Sequence, residues 1–265
     1  MDIKFTTENI ASLAVCGLLA VLIPIAAIVV YKIRNKDAWL LSALIGAGTF
    51  LVFALTLEQL LHLVMLPIVS GSSAAYVAYG ALAAGVFEET GRFVAYKTLM
   101  KKRYTTKNSI MMGLGHGGFE AAFLLGMMSL SNVIVAVTVN AGGLDAMMAS
   151  AAGNETAIAA MQTQLDAIGQ FGWGSILLPI CERIVAMTLH VCLSVWVYKA
   201  VSAKGKLWLY PAAILVHAAV DVPAALYQVG VIGIEVSEIC MTVSVAITVP
   251  ITVLIAKKLT VDSKQ

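Results

Sequence analysis

The chain reads as an all-α integral membrane protein, a polytopic bundle of about seven transmembrane helices, and three observations predict this. It is 60% hydrophobic and only 12% charged over 265 residues, where soluble domains carry about 25% charged residues. Its apolar residues fall into stretches long enough to cross a hydrocarbon core of about 30 Å. Its charges sort by sign into alternate connections.

The predicted spans are 10–33, 39–69, 75–96, 109–139, 173–198, 207–227 and 239–256. No basic n-region or small-residue cleavage site accompanies the first, so it reads as a retained helix. The second and fourth are longer than a bilayer requires and are expected to tilt, kink or extend beyond it. Seven spans use up the length, so residues 1–265 are expected to form a single integral membrane domain, with its core in spans 75–227. The long connection 142–171 carries a helical pattern over 156–168 and is either a surface helix over the mouth of the bundle or a plain connection.

Basic residues gather at Lys32, Arg34 and Lys36, at Lys97, Lys101, Lys102, Arg103 and Lys107, at Lys199, Lys204 and Lys206, and at Lys257, Lys258 and Lys264. The other connections hold Asp2 and Glu8, then Asp145, Glu155 and Asp166, then Glu235 and Glu238. Because basic loops stay cytoplasmic, the expected topology has the N-terminus outside and the C-terminus in the cytoplasm. Cys16, Cys181, Cys192 and Cys240 form no CxxC pattern and read as small apolar residues. The lipid bilayer is the expected partner, and nucleic acid is not.

The charges inside the spans are the informative ones. A charged side chain at the bilayer centre costs roughly 2.5 to 3.5 kcal/mol on insertion scales, so it needs a partner or a task. Only Arg92 and Arg183 lie deep within spans, against Glu58, Glu88, Glu89, Glu120, Glu182 and Asp221, and all four histidines are also within spans. Fully ionised, those acids leave four negative charges unpaired by arginine. Bound protons, charged histidines or a divalent cation must make up the difference.

Depth and helical phase predict that these groups meet. From one end of each span, Glu88 and Glu89 lie about 8 residues in, His116 about 7, His190 about 8 and His217 about 10, a thin slab at 1.5 Å per residue. Glu88 and Arg92, His116 and Glu120, and His217 and Asp221 are four apart and share a face. Glu89 points about 100° from Glu88, which gives the adjacent acids different parts. Arg183 and His190, seven apart, share a face, and Glu182-Arg183 reads as a supporting or structural pair. Glu58 and His62 read as a structural pair near the other end of their span. Gly113, Gly115, Gly117 and Gly118 predict close helix packing, or alternatively backbone donors near a substrate carbonyl.

Such groups suit peptide hydrolysis, which needs an activated water, an oxyanion stabiliser and a proton donor for the leaving amine. A buried Glu held by Arg92 is a candidate base, His116 or His217 a candidate oxyanion donor, and Asp221 a candidate for orienting His217. Alternatively His116, His190 and His217 with Glu88 bind Zn²⁺ and activate a water. The absence of HExxH leaves the two open. A reading from another class, a proton-coupled transporter or ion pathway, uses the same residues as a relay. A third is an assembly or immunity-type membrane protein with a degenerate site.

The ordered set Glu88-Glu89-x-x-Arg92, His116-x-x-x-Glu120 and His217-x-x-x-Asp221 resembles the YhfC group of bacterial intramembrane peptidases. That group is similar to the CAAX prenyl endopeptidase and bacteriocin-processing superfamily and to the PrsW-type proteases. In CAAX-type members the Arg comes one position later and the second motif is Phe-x-x-x-His. PrsW-type members have Glu-Glu-x-x-Lys, Phe-x-x-x-Glu and His-x-x-x-Asp. The present chain shares the short spacing and Glu120 of the latter, with His116 in place of Phe. The resemblance implies an intramembrane endopeptidase in a bacterial cell membrane, acting on a membrane-anchored protein or prenylated peptide. It implies Glu88 as the base for water and His116 and His217 at the metal or oxyanion position, and leaves open whether His116 or Glu120 inherits the second motif's role.

Overall fold

A computed structural model describes residues 3–261, with side chains described up to Lys257. Asp2 and Lys264, and the side chain of Lys258, counted above in the charge pattern, lie outside what is described. Nine helices and no strands occur among the described residues: α1 (Thr7–Arg34), α2 (Leu41–Val69), α3 (Ser73–Lys97), α4 (Thr106–Asn140), α5 (Leu144–Ser150), α6 (Glu155–Gln170), α7 (Trp173–Ser202), α8 (Leu209–Gln228) and α9 (Ile234–Val261). Six of them, all but α3, α5 and α6, are long and apolar enough to cross a membrane. Helix α3 has the length, at 25 residues. Its Glu88, Glu89, Arg92 and Lys97 are what dilute its apolar character. All seven expected spans are present as helices, with ends within a few residues of expectation. The long connection holds α6 and also the short α5, which its sequence pattern does not announce.

Local chemistry explains the helix ends. Ser72 caps α3 through Ala75 N–H, and Asn154 caps α6 through Ala157 N–H. Helices α4 and α8 stop at Gly142 and Gly230, whose φ values of 88° and 73° suit glycine. In each case the two following amides turn back onto the last turn: Gly142 N and Gly143 N bond Val139 O and Thr138 O, and Gly230 N and Val231 N bond Tyr227 O and Leu226 O. Two segments depart from α geometry while remaining helical, a π-helical run at Phe50–Glu58 in α2 and a shorter one at Ala122–Gly126 in α4. Such widened turns are rare and frequently mark functional sites.

The chain divides into two compact units. One comprises Met1–Ile23 and Ala121–Cys181. Its core holds Phe5, Leu13, Ala136, Leu165 and Ile168. The Asn140 side chain both accepts from Phe5 N–H and donates to Phe5 C=O, each at 2.8 Å, and Asn9 donates to the carbonyls of Gly169 and Phe171. These amides satisfy backbone groups that would otherwise be orphaned where chain segments leave their helices.

The other unit comprises Pro24–Glu120 and Glu182–Gln265 and holds all the charged in-span residues singled out above. Its core is built on Tyr96, Met100, Met112, Leu193, Val197, Leu209 and Ala213. Helix α3 packs on both α8 and the π-helical part of α2. Glycine permits this closeness. A Cβ on Gly85 would stand 2.6 Å from Ile214 O of α8, one on Gly46 2.1 Å from Met112 O, and one on Gly115 2.0 Å from Ala43 O. Gly113 lies against Val191 and His190 O, Gly117 against Met187 and the His190 ring, and Gly118 against Pro24. The four glycines around His116 are therefore occupied by helix packing, and of their two expected uses the structure shows this one.

Gly46 and Gly48 provide a matched test, because the space beside Gly48 is open. Gly46→Ala should destabilise the protein by about 1–3 kcal/mol, as an overpacked contact does. Gly48→Ala should be neutral or gain up to about 1 kcal/mol from helix propensity. Thermal unfolding in detergent reads both; an equal response of the two variants would contradict the packing described.

Candidate active site

The site grows from one turn of α3. Glu88 and Glu89, adjacent in sequence, face different ways, and Arg92 one turn on reaches both. Arg92 and Glu89 have no exposed surface and Glu88 is 6% exposed. The guanidinium pairs with Glu89 Oε1 through Nη1, lies 3.6 Å from Glu88 Oε2, and reaches His190 Nδ1 at 2.6 Å through Nη2. One cation thus serves two carboxylates and an imidazole, a task for the planar fork of arginine.

The three buried histidines differ in what their partners require of them. Thr49 Oγ1 donates its only hydrogen to Gly46 O at 2.6 Å, so its 2.9 Å contact with His116 Nδ1 is one in which the imidazole donates. The proton of neutral His116 is then on Nδ1. Its Nε2 lone pair faces Glu88 Oε2 at 2.8 Å, an acceptor opposite an acceptor, an arrangement that a proton or a cation must bridge. His217 repeats the pattern: Nδ1 donates to Glu89 Oε1 at 2.7 Å, leaving Nε2 to face Glu88 Oε1 at 3.9 Å and Asp221 Oδ2 at 3.4 Å. His190 is the reverse, because Arg92 can only donate to its Nδ1, which puts its hydrogen on Nε2, against Glu120 Oε2.

Every residue of the expected constellation belongs to this network. Glu120 lies between His190 and Arg183, whose Nη1 is 2.9 Å from Glu120 Oε1, while Nη2 of Arg183 pairs with Glu182. Glu58 is buried and lies 3.4 Å from His62 Nε2, and His62 Nδ1 meets the Tyr79 hydroxyl at 2.7 Å. Glu58 also interacts electrostatically with Glu88, His217 and Asp221, so this pair adjoins the cluster. One expectation is corrected. The residue that orients His217 is Glu89, through Nδ1, whereas Asp221 is one turn away, beyond good hydrogen-bond length from Nε2 and with a side chain 31% exposed.

Sequence reasoning missed Thr49, a hydroxyl in an apolar helix with no charged neighbour to draw attention to it. It also missed Phe50, whose ring meets that of His116 edge-on at 5.3 Å. The spacing Gly46-x-x-Thr49, a small residue one turn before a hydroxyl, is the signal available for Thr49.

The donor chemistry fits a divalent metal. Glu88, His116 and His190 each offer a ligand atom, and the three lie within 4.8 Å of one another. Imidazole nitrogen and carboxylate oxygen are zinc ligands. An imidazole whose other ring nitrogen donates to a fixed acceptor, as in His116 on Thr49 and His217 on Glu89, is the usual outer support of such ligands. His190 Nδ1 can join the set once Arg92 Nη2 turns away from it.

Replacing Arg92 strands two buried carboxylates and leaves the His190 Nδ1 acceptor without its donor. Arg92→Ala should lower stability by about 3–5 kcal/mol, the cost of breaking a buried ion pair. Arg92→Lys should fall in between, since an ammonium cannot span Glu89 and His190 together. Lys107→Ala removes the exposed 2.8 Å pair with Asp37 and should leave the midpoint unchanged. Thermal unfolding of the three variants checks the order.

Comparison with known proteins yields one family and one relative of use here. A protein-family model described as YhfC intramembrane metalloprotease matches residues 19–243. The chain is 36% identical over 231 residues to the uncharacterized membrane protein YhfC of Bacillus subtilis (strain 168), covering 85% of this chain and 87% of that protein. No solved structure matches.

Proposed function

Since the chain belongs to the YhfC intramembrane metalloprotease family, we propose that its Glu88-centred cluster hydrolyses a peptide bond in a membrane-embedded protein. The observation that carries the reading is the buried His116 Nε2 facing Glu88 Oε2 at 2.8 Å, which the Nδ1 contact with Thr49 makes an acceptor opposite an acceptor, a place prepared for a proton or a cation. A divalent metal, zinc by its donor set, would be held by Glu88, His116 and His190, with His217 Nε2 facing the second oxygen of Glu88. When bound, it supplies Lewis-acid polarisation of the scissile carbonyl and lowers the pKa of water.

The chain's own groups perform the proton transfers. Glu88, through the oxygen that faces His217, takes a proton from the attacking water as the C–O bond forms and returns it to the leaving nitrogen as the C–N bond breaks. Arg92 keeps a positive charge 3.6 Å from Glu88, and through Glu89 it holds His217 with Nε2 toward the reacting region. Asp221, open on one side and 3.4 Å from that nitrogen, exchanges protons between His217 and the surroundings. Glu120, held by Arg183 and Glu182, fixes His190. In this reading His116 takes the second motif's part as a metal ligand and Glu120 is the support. The basic connections face the cytoplasm, the N-terminus is outside, and the substrate enters from the bilayer. Family membership and the donor set favour hydrolysis over a proton-coupled carrier.

Purified protein should carry about one zinc per chain by elemental mass spectrometry, falling below about a tenth in His116→Ala, as removal of a ligand does. A metal-free, folded wild type would exclude the metal arm of the proposal. Cells producing the wild type should show new protein N-termini inside membrane-spanning segments on terminal labelling. Glu88→Gln, equally abundant and folded, should show none, a loss of at least about 10³-fold for removal of a base. Cleavage retained in Glu88→Gln would remove Glu88 from that role.

A further inference from the structure

A groove of about 390 Å³ runs along the seam of α2 and α3. Its walls include Leu41, Leu44, Gly48 and Thr49 from α2 and Val94 and Leu99 at the end of α3 and just beyond it. Leu41, Leu44, Val94 and Leu99 are exposed, and beside Gly48 there is open space. From Leu41 to Phe53, its far end on α2, the groove is about 18 Å long at 1.5 Å per residue. That is close to half of a hydrocarbon core of about 30 Å, the length of one acyl chain.

One end of the groove is strongly basic. Lys101, Lys102 and Arg103 begin two residues after Leu99, past the buried Met100, and are exposed, and Arg103 lies over the Trp39 ring at 5.1 Å, just ahead of Leu41. The nearby acid Asp37 is already engaged by Lys107, at 2.8 and 2.9 Å. A basic cluster with an interfacial tryptophan at the end of an apolar, chain-length groove matches an anionic phospholipid, head and tail. An extended peptide fits less well. The walls are helices whose backbone groups bond internally, so its amides would be left unsatisfied at membrane depth, at several kcal/mol each.

We propose that this groove is a binding site for one anionic phospholipid, its headgroup on Lys101, Lys102 and Arg103 and one acyl chain lying between α2 and α3. The chain then passes Thr49, whose hydroxyl receives His116 Nδ1–H, so the lipid's tail lines the wall behind a site histidine. The groove meets the Glu88 cluster at Thr49, and the proposal holds whatever reaction that cluster performs.

Native mass spectrometry of the full chain, delipidated and then titrated with phosphatidylglycerol or with phosphatidylcholine of the same acyl chains, tests it. Wild type should retain one phosphatidylglycerol at concentrations where phosphatidylcholine is not retained. Lys101→Gln, Lys102→Gln and Arg103→Gln should each weaken retention by about fivefold, the worth of one basic residue at a lipid surface. Gly48→Leu, which fills the groove, should abolish retention while its unfolding midpoint stays that of the wild type. Equal retention of both lipids, or of phosphatidylglycerol in Gly48→Leu, would overturn the proposal. Displacement by a hydrophobic peptide that is indifferent to the three glutamine variants would assign the groove to a protein segment and overturn it equally.

Discussion

A guanidinium without exposed surface organises this protein. Arg92 is bonded to Glu89, close to Glu88 and hydrogen-bonded to His190, and each of those partners leads to another helix: Glu89 to His217 of α8, Glu88 to His116 of α4, His190 to Glu120. In a low-dielectric interior such interactions are strong when complete and costly when broken. The surrounding helices therefore meet at distances set by hydrogen bonds, and the apolar contacts must accommodate that. Glycine supplies the accommodation at Gly46, Gly85, Gly113, Gly115 and Gly117, where a methyl group would collide with a neighbouring backbone or with His190. The close-packed glycines and the buried charges have the same cause.

The two adjacent glutamates show how position divides labour between identical side chains. Glu89 is enclosed, neutralised by Arg92 and committed to His217. Glu88 faces two imidazole nitrogens whose tautomers leave lone pairs toward it. One carboxylate is structural support and the other is available. The hundred-degree step between neighbours on a helix is enough to separate them.

Much of this was legible in the sequence because it depends on local regularities. Charge within an apolar stretch is conspicuous, four-residue spacing assigns a helix face, and counting from the span ends gives depth; from these the meeting of Glu88, Glu89, Arg92, His116, Glu120, His190, Arg183 and His217 follows. What was illegible depends on tertiary choices. Asp221 is four residues from His217 and the natural candidate to orient it, yet Glu89 of another helix takes the ring's Nδ1. Thr49 carries no charge, and its part comes from a proton given to Gly46 and another received from His116. The short helix Leu144–Ser150 lies in a stretch of mostly small residues bounded by glycines, where composition does not separate helix from turn.

The π-helical run Phe50–Glu58 has a further consequence for α2. Nine residues of α-helix turn through two and a half revolutions, which would put Thr49 and Glu58 on opposite sides. Both are buried, Thr49 on His116 and Glu58 among the interactions of Glu88, His217 and Asp221. Widened turns absorb the surplus rotation and act as a phase adjuster between the two ends of the helix. The side chains of that run are nearly all apolar and broadly interchangeable in kind, whereas their number is not. Shortening the run by one residue and relaxing it to ordinary α geometry would rotate everything beyond it by about 80°, turning Glu58 and His62 out of register with α3. Along this part of the chain the information resides in a length.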